Sequence, residues 1–174
     1  VVSGLSALLI GYVLSRFDGD YFALGSFGFN IIVFSIFLNW QSLTRGPLGI
    51  PGIPRPTIFG YTFSDNLAFL ILSLLMLGVV YLGVKWLTSS SFGRVLKGIR
   101  EDEKALQVFG YNTKHYKLAV FVIAAMIAGV AGSFFATYIS YIDPTSFVLM
   151  ESIFILMAII LGGLASHKGA IIGA

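Results

Sequence analysis

Four stretches of this chain are apolar for close to the length a helix needs to cross a membrane, since a hydrocarbon core about 30 Å thick takes about 20 residues at 1.5 Å each. Tyr21 to Trp40 is apolar apart from Ser26, Asn30, Ser35 and Asn39. Leu67 to Leu87 holds one charge, Lys85, near its end, where the aliphatic stem can reach the interface. Leu118 to Tyr141 holds no charge, and Phe147 to Leu164 holds only Glu151 near its start. Each predicts a spanning helix. Val1 to Leu14 is uncharged but shorter, and Ala170 to Ala174 begins another apolar run. The chain is therefore expected to be a fragment, with truncated helices at both ends.

The segments between these runs are of two kinds. From Gly46 to Gly60 the order Gly-Pro-Leu-Gly-Ile-Pro-Gly-Ile-Pro-Arg-Pro excludes a regular helix, because proline lacks the amide donor and restricts the residue before it. This loop, 41–66, ends at Asp65-Asn66, a candidate helix cap, and Asp143-Pro144 reads as a short turn with proline near a helix start. The segment 88–117 is different. From Phe92 to Phe109 it follows helical period, with Phe92, Val95, Leu96, Ile99, Leu106 and Phe109 on one side and Arg94, Lys97, Glu101 and Lys104 opposite. Lys97 with Glu101 and Arg100 with Glu103 have spacings that suit ion pairs. Such a helix can lie on the membrane surface or insert its apolar side into a groove on a partner. Gly110-Tyr111-Asn112 follows as a stop, glycine being free to take positive φ.

Composition changes the picture from helices to a membrane protein. The 174 residues are 57% hydrophobic and 11% charged, where a soluble domain carries about 25% charged residues. The predicted fold is an all-α integral membrane protein, a polytopic bundle of four full spans, forming one transmembrane domain over 1–174. Lysine and arginine then set its orientation. Arg94, Lys97, Arg100, Lys104, Lys114 and Lys117 crowd into 88–117, whereas 41–66 holds only Arg45 and Arg55. Cytoplasmic loops are enriched in such residues, so 88–117 is expected inside, with Arg16 and Lys168, and 41–66 outside with Asp143. The net charge of +3 is accounted for by this pattern and points to lipid, not to nucleic acid.

Candidate chemistry is sparse. Without cysteine there is no disulfide, thiolate ligand or catalytic thiol, and His115 and His167 are isolated, so no metal or catalytic site emerges. No Gly-Lys dipeptide occurs, which excludes a phosphate-cradling Walker loop. In the third full span Ala125, Gly129, Gly132 and Ala136 are spaced four, three and four apart, a stripe that lets another helix approach closely. Gly162-Gly163 breaks the fourth span, either as a tight turn or as a broken helix at a cavity. Asn30 is the most central polar residue of the first full span; it should bond to another helix or line a wet path.

Several strings, taken together, resemble a known family: Gly19-Asp20-Tyr21-Phe22-Ala23, Asn39-Trp40, Leu43-Thr44, the 46–56 loop, Gly93-Arg94, Ile99-Arg100-Glu101-Asp102-Glu103, Gly110-Tyr111-Asn112, Tyr116-Lys117-Leu118, Asp143-Pro144 and Leu161-Gly162-Gly163-Leu164. Their order from about Gly11 onward is similar to the permease subunit of branched-chain amino acid ABC importers of the LivM type, with urea and amide permeases as relatives. The resemblance implies a bacterial inner-membrane importer, not an enzyme, carrying leucine, isoleucine or valine. It implies a second permease subunit, two cytoplasmic ATP-binding subunits that hold ATP and magnesium, and an external substrate-binding protein docking on 46–60 and 143–146. It favours docking for 88–117 and assigns Gly93, Arg94, Arg100, Glu101, Asp102, Glu103, Ala105 and Gly110 to the segment that couples nucleotide-driven closure to the spans. Family members often carry glutamates near Ile31 and Phe154; both positions are apolar here. A urea or short-amide cargo is the alternative within the family, and an ion-coupled carrier the alternative outside it.

Overall fold

In hydrocarbon an apolar run can satisfy its backbone groups only within itself, and three stretches of this chain do so as long helices. The computed structural model describes residues 1–17, 20–58, 61–62, 65–163, 169, 171 and 173. The long helices are α2 (Asp20–Asn39), α4 (Asn66–Ser89) and α7 (Thr113–Ile139), preceded by the shorter α1 (Val2–Leu14). Between them lie α3 (Gln41–Thr44), strands β1 (Ile50–Pro51), β2 (Thr57–Ile58) and β3 (Tyr61–Thr62), and the connection helices α5 (Ser91–Glu101) and α6 (Glu103–Val108). After α7 come β4 (Tyr141–Ile142), a 3-10 turn at Pro144–Phe147 and α8 (Leu149–Gly162).

The helical membrane architecture matches the hydropathy pattern; the lengths need two corrections. The run expected to span from Phe147 to Leu164 is interrupted. Its first residue closes the 3-10 turn, Val148 is extended (φ −73°, ψ 161°), and α8 has 14 residues, about 21 Å at 1.5 Å each and short of the hydrocarbon core. Gly163 stops α8 with φ 102°, its N–H donating to the Ile160 carbonyl at 3.1 Å, and Gly162 lies close to the backbone of Gly169, while the turn expected after it falls on 164–168. In the other direction, α7 begins at Thr113, before the expected Leu118. Its 27 residues exceed the hydrocarbon thickness, which leaves Lys114 and Lys117 on a protruding end. Lys168 and His167, with the rest of 164–168, and Gly19 and Gly60 lie outside the described residues, as does most of the terminal run expected from Ala170.

The apolar helix walls face outward. In the most apolar windows of α2, α4 and α7 the buried share is 0%, 6% and 0%, so these surfaces are built for lipid or for further protein, not for water. The residues divide into two compact units, 1–23 with 65–134 and 24–64 with 135–174.

In the first unit α1 packs against α7 through small residues. A Cβ added to Gly4 would lie 2.8 Å from Met126 Cγ, one on Gly11 2.7 Å from Leu118 Cδ1, and one on Gly129 would run into the Ser3 hydroxyl. Phe22 meets the Phe121 ring edge-on at 6.3 Å, and buried Phe69 of α4 lies 6.1 Å from the Phe134 ring. In the second unit β1 pairs antiparallel with β4, Ile50 opposite Ile142, and β2 pairs with β3.

Candidate functional site

Three arrangements carry the residues singled out by the sequence: an elbow and helical connection in the first unit, the small-residue seam of α7, and a pair of joined loops in the second unit.

The elbow rests on one residue. Ser90 alone separates α4 from α5; its hydroxyl donates to the Leu87 carbonyl at 2.6 Å and accepts from the Gly93 amide at 3.4 Å, capping the second helix while bonded to the first. Gly93 lies so close to the Thr88 carbonyl that any Cβ would collide with backbone. Arg94 reinforces the same corner, donating from Nη2 to Ser91 Oγ at 2.8 Å. α5 is amphipathic as expected, with Phe92, Val95, Leu96 and Ile99 half-buried and Arg94, Lys97, Arg100 and Glu101 exposed.

The continuous helix expected from Phe92 to Phe109 is not formed. Asp102 adopts an extended conformation (φ −152°, ψ 99°), and its Oδ1 accepts from the Ala105 amide at 3.0 Å, so it ends α5 and caps α6. The break resets the helical phase. Leu106 still turns inward, its Cδ1 2.9 Å from where a Cβ of Gly98 would stand, but Phe109 is 79% exposed instead of lying on the Phe92 side, and its neighbour Val108 is 87% exposed. Neither expected ion pair forms. Among the described residues the ion pair is Glu103 with Lys117, at 2.5 Å. The hydrogen bond from Lys117 is the largest cause holding the Glu103 carboxyl below its ordinary pKa.

Gly110 provides the stop with φ 84°, its N–H donating to Gln107, while the Tyr111 N–H donates to Leu106 at 3.1 Å. The returning chain is anchored to α7. Thr113 is 1% exposed and accepts from Gln107 Nε2 at 3.0 Å, and the Tyr116 ring stands 5.4 Å from Phe92 and 6.4 Å from Tyr111. The connection is thus fastened to both α4 and α7, leaving Arg100, Glu101, Asp102, Lys104, Ala105, Val108 and Phe109 exposed.

The small-residue stripe of α7 divides. Gly129 receives α1, Ala125 is half-buried, Ala136 is 7% exposed, and a Cβ added to Gly132 would meet nothing within 4 Å.

In the second unit the two loops are joined. The Ser140 carbonyl, on a residue with φ 58°, accepts from Gly52 and Ile53 at 3.0 and 3.2 Å, and the Tyr141 hydroxyl donates to Leu48 at 3.2 Å. Gly49 sits at the crossing with φ 63°, where a Cβ would lie 2.6 Å from the Ile142 carbonyl oxygen. Asp143 caps the 3-10 turn, accepting from the Ser146 amide at 3.2 Å and from the Ser146 and Thr145 hydroxyls, which hold its carboxyl below the ordinary range. Asp65 stands at the start of α4 without bonding an amide through its side chain. Asn30 faces a cavity shared with Val33, Phe34, Phe37, Pro144 and Phe147, and its amide makes no hydrogen bond among the described residues.

A family described as "Branched-chain amino acid transport system / permease component" matches residues 1–174. The chain belongs to this family. Among its relatives are the proteins named high-affinity branched-chain amino acid transport system permease protein LivM of Salmonella typhimurium, 36% identical over all of this chain and 46% of the relative, and of Escherichia coli, 34% identical with the same coverage. The Escherichia coli permease protein LivH is 30% identical over 80% of this chain and 47% of its own length. The chain spans less than half the length of these relatives. No solved structure matches it significantly.

Within this member of the family the sequence reading missed two features. Thr113 and Gln107 carry no signal beyond their polarity. Gly4, Ala7, Gly11 and Leu14, buried at spacings of three, four and three, do carry one: the small-residue periodicity that marked α7 is present in α1 as well.

Proposed function

We propose that this chain supplies part of the membrane path of an ATP-driven importer for the branched-chain amino acids leucine, isoleucine and valine. The observation that carries this reading is the family match over the whole chain, and the names of the LivM relatives support the cargo. In this reading 1–174 belongs to one transmembrane permease domain of a bacterial inner membrane, with 88–117 in the cytoplasm and 41–66 outside, as its basic residues favour. The chain performs no bond chemistry. It works with a second permease subunit, two ATP-binding subunits that hold ATP and magnesium, and an external binding protein.

A connection that transmits force must be stiff at its roots and present a surface to grip. Ser90, Gly93 and Arg94 lock α5 to α4, and Thr113, Tyr116 and Lys117 lock α6 and its return to α7. Between these roots Val108 and Phe109 stand exposed on a connection that also exposes Arg100, Glu101 and Lys104, an apolar surface suited to a groove. Closure of the ATP-binding subunits pulls on this surface and tilts α4 and α7. The joined loops present β1, β4 and the Asp143 turn to the loaded binding protein.

Replacing Glu101, Asp102 and Glu103 together by alanine tests the lever. The reading expects the assembled complex to insert normally and to lose at least tenfold of its leucine-stimulated ATP hydrolysis. Unchanged stimulation overturns the coupling assignment.

A further inference from the structure

Resting on the importer reading above, we infer that two adjoining cavities beneath the joined loops of the second unit form a reception chamber for the transported amino acid, with Asn30 as its polar anchor. One cavity, about 230 Å³, lies under Ile50 and Ile142; the other, about 330 Å³, reaches Asn30, and both are walled by Phe37, Pro144 and Phe147. Asn30, Val33, Phe34 and Phe37 follow i, i+3, i+4, i+7 on α2, so they form one helix face, and the rise from Asn30 to Phe37 extends the chamber by about 10 Å along the helix. The opposite wall is fixed, because Phe147 packs edge-on against Phe135 at 6.2 Å and Asp143 caps the turn that carries it.

The polarity of the chamber selects its occupant. Thr44 lines it but spends its hydroxyl on the Phe37 and Trp40 carbonyls, and the Asp143 carboxylate is engaged by Ser146 and Thr145. That leaves an aliphatic and aromatic space with one free amide. Asn30 offers two donors and an acceptor without net charge, so it can meet both the carboxylate and the ammonium of a zwitterion. A lone charged residue there would satisfy one end and repel the other. The size is that of a small ligand, at or below the roughly 300–1,000 Å³ of sites for drug-sized molecules. A branched-chain amino acid fits on all three counts: small, apolar in its side chain and neutral overall.

Residues 1–174 hold no cysteine, so a thiol placed there is the one this segment offers, and the parent complex without it sets the background. Asn30→Cys and Phe37→Cys are prepared separately in the full permease, assembled with its partner subunits, and treated with a membrane-impermeant methanethiosulfonate reagent from outside. Leu75→Cys, on the exposed wall of α4, serves as control. Both chamber cysteines are expected to react, and leucine delivered by its binding protein should slow them at least fivefold while leaving the control unaltered. Asn30→Leu should raise the KM for leucine uptake about tenfold with complex assembly, read by size-exclusion chromatography, unchanged. Failure of either chamber cysteine to react, or reaction that leucine does not slow, overturns the chamber, assigning the space to lipid or to packing. If the parent complex itself shows no ATP-dependent leucine uptake, the importer reading falls too, and that result needs no variant.

Discussion

At Gly93 the backbone of Thr88 occupies the space a side chain would need, so this glycine is required by contact and not by its dihedral angles. Gly93→Ala must push α5 away from α4. Overpacking of this kind costs about 1–3 kcal/mol, and a lower melting temperature of the purified permease, together with at least tenfold slower uptake, is the expected outcome. Glu103 makes a second, weaker claim. Its folded pKa is depressed by Lys117, so the stabilisation from the pair is fully present above the ordinary carboxylate range, about pH 4.5, and is lost as the pH falls through the lowered folded value. Both side chains are partly exposed, which limits the effect to about 1 kcal/mol or less. A melting curve measured from pH 7 down to pH 3 should lose its acid-side drop in part in Glu103→Gln. The sequence reading marked Gly93 only by resemblance, and Glu103 by resemblance and by a spacing that pointed to Arg100 and not to Lys117. The reason Gly93 cannot change is a backbone 5 residues upstream, invisible to periodicity.

At the scale of elements, hydropathy revealed the long helices because their physics is local: an apolar run either bonds to itself or does not form in lipid. The breaks were less legible. A helical wheel drawn through Asp102 places Phe109 beside Phe92, and what defeats it is one aspartate whose side chain competes for the Ala105 amide. Asp102→Ala should cost about 1 kcal/mol and speed hydrogen exchange at Ala105, while Asp102→Asn, which can still accept that bond, should leave exchange close to wild type. The pairing of β1 with β4 had no sequence signature either, since two-residue strands have no period to detect. Gly49 marks the contact in retrospect. Gly49→Val combines a β-branched residue at positive φ with a collision against Ile142, so exchange at the Gly52 and Ile53 amides should accelerate as the loops part.

On the scale of the whole molecule, the charged side chains of the described residues gather in the connections and at helix ends, while the walls of the long helices stay largely apolar. That division explains why so much of the fold could be read without a core: in the importer reading, the burial that usually hides a helix face is supplied by lipid and by partner proteins. It also explains what could not be read. In the importer reading function resides in surfaces that meet other chains, and one sequence records such a surface only as exposed residues with no internal purpose. Val108 and Phe109 are the clearest of these, standing exposed between helices that are fastened at both roots. A photo-crosslinking amino acid placed at Phe109 in living cells tests the lever most directly. The account predicts an ultraviolet-dependent adduct whose mass identifies the ATP-binding subunit, stronger when nucleotide is bound. Adducts with lipid alone, or tagging of this position by a reagent confined to the outside of the cell, would contradict it.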